Sequence, residues 1–152
     1  MRVLFQRVAR AIVSVDDERI AEIGSGALLF VCVMSGDCPE TIRGLAGKVA
    51  HLRVFNDEHG KLNRSLLDVG GEVLLVSQFT LAADTGRGPR PGFSQAAPAA
   101  EAQRYCDEFA QVLCDAGLVV RKGRFGADMS VELVNDGPVT IWLDSEKLRA
   151  LP

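Results

Sequence analysis

The chain has 152 residues, 47% of them hydrophobic and 24% charged, with a net charge of −3. That suffices for one domain with a real core and not for two comfortable ones, and no apolar run approaches the length of a membrane span. The negative balance argues against a whole-surface nucleic-acid binder, so any RNA contact needs a local basic patch.

Residues 2–15 alternate apolar and polar through Val3, Phe5, Val8 and Ile12, which predicts a long strand. Arg2, Arg7 and Arg10 interrupt this segment and no small-residue cleavage site follows, so no signal peptide is expected. Asp16-Asp17 turns the chain into a second strand, Arg19 to Ile23. The continuous apolar run Ala27 to Met34 reads as a central strand covered on both faces. Pro39 opens a helix with Ile42, Leu45, Val49 and Leu52 on one face, although Gly44 and Gly47 weaken it. Val54-Phe55 reads as a short strand, residues 56–60 as a surface turn, and Ser65 to Gly71 as a connector without helix.

Glu72 to Leu81 reads as a buried strand through Val73-Leu74-Leu75-Val76 that turns polar at Ser77-Gln78. Polar groups at the carboxyl end of a buried strand are where α/β proteins place ligands, though such residues also simply satisfy a strand end. A Gly/Pro/Arg loop follows, residues 82–97. Pro98 then opens a second helix with Tyr105, Phe109, Val112 and Leu113 on one face, ended by Gly117. Leu118 to Val120 is a strand leading into the basic cluster Arg121, Lys122 and Arg124. Two last strands are expected, Met129 to Val134 and Val139 to Leu143, before a polar tail at 146–152.

Between those two strands lies Asn135-Asp136-Gly137-Pro138. Local rules make it a turn, yet Pro138 has no N–H to offer a ladder. It is either an awkward strand connection or a fixed backbone feature that presents the Gly137 and Pro138 carbonyls; a Gly-Pro bond is also one that can be cis.

Side-chain chemistry is sparse. Cys32, Cys38, Cys106 and Cys114 have no CxxC spacing and read as reduced thiols, with Cys32 in a core strand. His51 and His59 carry no metal pattern. There is no GxSxG elbow and no phosphate-binding GxxxxGK[ST] loop. Ser77 and Thr80 are candidate nucleophiles without an evident base, whereas backbone N–H groups over 77–80 would make an oxyanion hole with no special side chain.

Taken together, Ser77-Gln78-Phe79-Thr80-Leu81 and Asn135-Asp136-Gly137-Pro138-Val139-Thr140 resemble the two signature motifs of the D-aminoacyl-tRNA deacylase family. Gln6-Arg7-Val8, Arg90-Pro91-Gly92-Phe93-Ser94 and Gly123-Arg124-Phe125-Gly126-Ala127-Asp128-Met129 match in order, and the likeness runs from Met1 to about Ser145. Ala82 stands where the family often has Tyr, and residues 146–152 extend past its usual end.

The resemblance implies a three-layer α/β/β single domain over 1–145, with mixed sheets, two main helices and a C-terminal tail at 146–152. It implies a cytoplasmic homodimer that needs no cofactor, metal or membrane. The substrate would be D-aminoacyl-tRNA, and also glycine misattached to alanine tRNA, hydrolysed at the ester. Ser77, Gln78, Phe79 and Thr80 would form the catalytic pocket. A cis Gly137–Pro138 bond, held by Arg7, would enter the partner subunit's site and exclude L side chains. Phe125 and Met129 would flank the terminal adenosine, and the ribose 2′-hydroxyl would replace a protein base. Two rivals stand beside this reading. Thr80 would be an acyl-enzyme nucleophile in one. In the other the chain is a non-catalytic RNA-binding module using Arg87, Arg90, Arg121, Lys122 and Arg124.

Overall fold

The computed structural model describes residues 1–148. Its organising element is strand β1 (Arg2–Val15), whose alternating apolar residues Val3, Phe5, Ala11 and Val13 are all fully buried. Along one edge it pairs antiparallel with β3 (Gly26–Cys32) through its first half and with β2 (Glu18–Ile23) through its second. Along its other edge lies β8 (Ser130–Asp144), antiparallel from Arg2↔Asp144 to Ser14↔Ser130.

The sheet continues from β3 to β6 (Glu72–Ser77) and β7 (Val119–Lys122), both parallel. Parallel neighbours need crossovers, and helices supply them. The first contains α1 (Pro39–His51), the small ribbon β4 (Phe55–Asn56) and β5 (Leu62–Arg64), and α2 (Leu66–Val69). The second contains α3 (Ala99–Asp115). The whole is a mixed α/β fold.

Side-chain alternation gives this sheet two cores. Leu29, Val73 and Leu75 join Phe5, Leu45, Phe109 and Leu113 under the helices. Leu28, Leu74 and Val76 point the other way and pack with Ala11, Val13 and Ile23. That second cluster is lined by strands alone, so the sheet curls nearly closed over it. β2 thereby approaches β6, and the Gly24 N–H donates to the Glu72 carboxylate at 2.8 Å.

Four expectations need correction. The two final strands are one: β8 runs through Asn135–Thr140 and resumes with the same partner. β1 is long enough to template both halves, so turn-forming residues produce an excursion and not a reversal. Ser65 to Gly71 does contain a helix, α2. Ser65 and Asp68 cap it reciprocally, the Ser65 N–H donating to the Asp68 carboxylate at 2.8 Å, and Gly70 closes it in the left-handed region at φ 61°. The strand expected over Glu72–Leu81 stops at Ser77, and residues 79–82 form a 3-10 turn. The segment expected as a tail begins with another 3-10 turn, Ser145–Lys147, and Leu148 packs against the helix-side core. The rest of that tail, 149–152, lies outside the described residues.

Phe109 is fully buried between α3 and the sheet. Phe109→Ala should cost about 3–5 kcal/mol of stability by urea unfolding, from lost burial plus the cavity left behind.

Candidate active site

At the carboxyl end of β6 the chain leaves the sheet. Gln78 N–H donates to Val31 O at 2.8 Å, which ends the strand, and the 3-10 turn Phe79–Ala82 follows. Within that turn Leu81 N–H bonds back to Gln78 O at 3.2 Å. A 3-10 turn gives its first two N–H groups no acceptor of its own. Phe79 and Thr80 N–H have no acceptor among the described residues. The turn is pinned from behind by Arg2 Nη1 donating to Leu81 O at 2.9 Å and by the Cys32 thiol against Phe79 O at 3.6 Å.

Beside this turn lies a cavity of about 530 Å³. Ser77, Gln78 and Phe79 form its lip, Cys32 and Val76 its sheet wall, Ala99, Ala102 and Cys106 of α3 a second wall, and Phe125 to Met129 a third. Phe79 is 55% exposed, and its ring meets the Phe93 ring edge-on at 5.1 Å. Thr80 does not line the cavity; its hydroxyl accepts a hydrogen bond from the Gln78 amide. No histidine approaches. His51 Nδ1 bonds to Gly47 O at 2.9 Å, and His59 sits in an exposed turn. Among the described residues no three His, Cys, Asp or Glu side chains cluster as a metal site.

The remaining site residues expected from sequence lie elsewhere. Opposite Arg7, β8 carries four residues, Asp136–Val139, between the pairs Val8↔Asn135 and Gln6↔Thr140. They bulge out of the strand, with Asp136, Gly137 and Pro138 exposed and the Gly137–Pro138 bond cis. Arg7 is the buried anchor of this bulge, only 6% exposed. Its guanidinium donates to Asp136 O at 3.2 Å, Val54 O at 2.8 Å and Asn56 Oδ1 at 3.4 Å, and it pairs with the Asp136 carboxylate at 3.2 Å. Asn135 clasps the neck: its amide nitrogen donates to Arg7 O at 2.9 Å and Val139 O at 3.2 Å, and its oxygen accepts from the Thr140 hydroxyl at 2.8 Å. Gly137 has φ +120°, and a Cβ there would lie 2.8 Å from Arg7 Nη2 and 2.9 Å from Val139 Cγ2.

The structure thus groups Ser77, Gln78, Phe79, Phe125 and Met129 around one cavity, with Thr80 outside its lining. It groups Arg7, Gly137 and Pro138 in a bulge that takes no part in that cavity. Sequence reasoning missed the α3 wall, because Ala99, Ala102 and Cys106 read only as a helix face. It also missed Val54 and Asn56 as holders of Arg7.

Known proteins resemble this chain over most of its length. Residues 4–144 match the family model described as D-Tyr-tRNA(Tyr) deacylase. A D-aminoacyl-tRNA deacylase of Dinoroseobacter shibae is 57% identical over 144 residues, spanning 95% of this chain and 99% of its own. One of Thermomicrobium roseum is 59% identical over 149 residues, spanning 98% and 97%. The solved structure of the c-Myc DNA Unwinding Element Binding Protein superposes with a TM-score of 0.90 at 37% identity, over 95% of this chain and 98% of that one.

The two cavity thiols are held protonated. Burial pushes Cys106 up to about 12, with the Asp107 carboxylate adding to the effect and a hydrogen bond with Ser77 opposing it. Burial also raises Cys32, against the nearby Arg2 charge. Only the thiolate attacks alkylating agents. Iodoacetamide at about pH 8 should therefore modify exposed Cys114 and spare Cys32 and Cys106 until urea unfolds the chain. Peptide mass spectrometry reads this directly, and early labelling of Cys106 in the folded protein would contradict it.

Proposed function

The chain belongs to the D-Tyr-tRNA(Tyr) deacylase family, and on that premise we propose that it hydrolyses the ester of D-aminoacyl-tRNA to free D-amino acid and tRNA. The observation that carries this reading is the pair of N–H donors at Phe79 and Thr80 without acceptors among the described residues, in the turn that starts at the lip of a cavity whose lining includes the Asp128 carboxylate and no histidine. An aminoacyl ester is already activated. Fixed donors that receive its carbonyl oxygen, and a well-placed water, suffice for attack. Water adds to the carbonyl carbon, the oxyanion forms against the two N–H groups, and the bond to the ribose oxygen breaks. The neighbouring 2′-hydroxyl of the substrate relays the proton to that leaving oxygen. Phe125 and Met129 hold the terminal adenosine from the opposite wall.

Stereochemical choice falls to the bulge. Gly137 and Pro138 are exposed in their own chain and fixed by Arg7, which suits a part that completes another subunit's cavity. β8 supports a homodimer in a second way, since its outer edge has no partner strand among the described residues. Rigid backbone facing the chiral centre excludes an L side chain by contact, and no side chain needs to recognise the D one. Glycine has nothing to exclude, so glycine misattached to alanine tRNA passes the same screen. The family's three-layer α/β/β arrangement accounts for the two apolar clusters on opposite faces of the sheet. Residues 1–145 form the deacylase domain, with 146–152 appended, and the enzyme works in the cytoplasm where charged tRNA circulates.

Hydrolysis of D- against L-aminoacyl-tRNA tests this, with D-substrate consumed and L-substrate spared. Sedimentation at micromolar concentration should give a dimer; a monomer that still discriminates would remove the bulge from the site. Gly137→Ala places a methyl group against Arg7 and Val139, and displacement of the bulge should lower D-substrate turnover about a hundredfold with circular dichroism unchanged.

Thr80→Ala should behave differently. The backbone N–H survives and the lost hydroxyl only accepted from Gln78, so single-turnover hydrolysis should fall by less than about tenfold. An acyl adduct trapped on Thr80 would instead make it the nucleophile.

A further inference from the structure

A second cavity of about 290 Å³ adjoins the first, with Ser77, Cys106 and Phe125 common to both. Its outer wall carries Gln103, Asp107, Lys122 and Arg124. We propose that this cavity is an anion subsite that takes the 5′-phosphodiester of the substrate's terminal nucleotide, with Arg124 as its principal charge. The proposal rests on the reading above, in which the terminal adenosine occupies the first cavity.

The backbone fixes this wall closely. Gly123 N–H donates to Leu75 O at 2.9 Å, and a Cβ at Gly123 would stand 2.7 Å from Met129 Sδ. A larger residue at 123 would have to displace the Met129 thioether, and Gly123 is flanked in the chain by Lys122 and Arg124, both of which line the cavity. Arg121, one strand position before Lys122, points to the other face and lines neither cavity.

Charge separates the two cations. Lys122 Nζ is held by the Asp107 carboxylate at 2.8 Å, so its charge is largely committed. Arg124 is exposed and has no ion-pair partner among the described residues. The cavity therefore carries one acid and two bases in a chain whose net charge is −3. A guanidinium suits a phosphate because it offers parallel donors in one plane. Gln103 adds an amide donor on the α3 side. The connectivity of the substrate agrees. A nucleoside lodged against Phe125 has its 5′-oxygen one ribose width away, and the two cavities meet at Phe125 and Ser77.

The test uses two small esters, 3′-O-(D-aminoacyl)adenosine and the same compound bearing a 5′-methylphosphate. The quantity read is the ratio of their kcat/KM values. In the wild type the phosphate should raise kcat/KM about tenfold at low salt. Arg124→Ala should bring that ratio close to one, and on full tRNA should flatten the slope of log kcat/KM against log salt by about 0.7. Asp107→Asn should move the ratio the other way, because it frees Lys122; a fold defect would not produce that gain. A wild-type ratio of one, or a ratio unaltered in Arg124→Ala, overturns the subsite. Calorimetry with adenosine 5′-methylphosphate against adenosine asks the same question without hydrolysis. If neither ester is cleaved but the phosphate still tightens binding through Arg124, the subsite stands and the deacylase reading falls. Equal binding of the two nucleosides rejects the subsite whatever the esters do.

Discussion

Arg7 is the interaction on which the bulge and its neighbouring crossover depend. A guanidinium only 6% exposed has lost its water, and it must find acceptors inside the protein. It finds them on two sides. Val54 O and Asn56 Oδ1 belong to the segment after α1, while Asp136 belongs to β8. One side chain on the central strand thus ties the helical crossover to the bulge. The charge is also what makes the bulge rigid, because the chain cannot relax into a regular ladder without depriving Arg7 of Asp136. The exposure of Asp136 itself is of little importance, since its backbone carbonyl also accepts from Arg7.

The strands β1, β3 and β6 and the helices α1 and α3 were legible in the sequence, because each buries enough residues for its period to show. α2 was not. Four residues are too few for a helical period, although Ser65 followed three positions later by Asp68 was a usable capping signal. The continuity of β8 was hidden for a different reason. Asn-Asp-Gly-Pro is turn chemistry by every local rule, and only the length of β1 decides that the chain resumes its course. Tertiary pairing overrode local preference there.

Of the site, residues 77–79 were found by the change from apolar to polar at the end of β6. Phe125, Met129 and the bulge were singled out through the motif resemblance, and of these Phe125 and Met129 line the cavity. The distances between them had no local signature. Nothing in Ser77-Gln78-Phe79-Thr80 says that the Thr80 side chain turns toward Gln78 and away from the cavity. Nothing in the α3 sequence says that Cys106 meets Ser77. Small residues at Ala99 and Ala102 leave space, and space is invisible to a reading of hydrophobic period.

β1 is the first strand and β8 the last, and they pair from Arg2↔Asp144 to Ser14↔Ser130. A nascent chain therefore carries its central strand with one whole edge bare until residues 130–144 have left the ribosome. Closing so large a loop is entropically slow, and an unpaired edge is a place where foreign strands attach. The exposed arginine at position 10 on that edge, with a bend near Val8, gives the waiting strand some protection. The same order of events means that the bulge, and the Arg7 contacts with Asp136 that fix it, form only after the 129 residues that follow Arg7, up to Asp136, have been made. An unfinished chain has no anchored bulge.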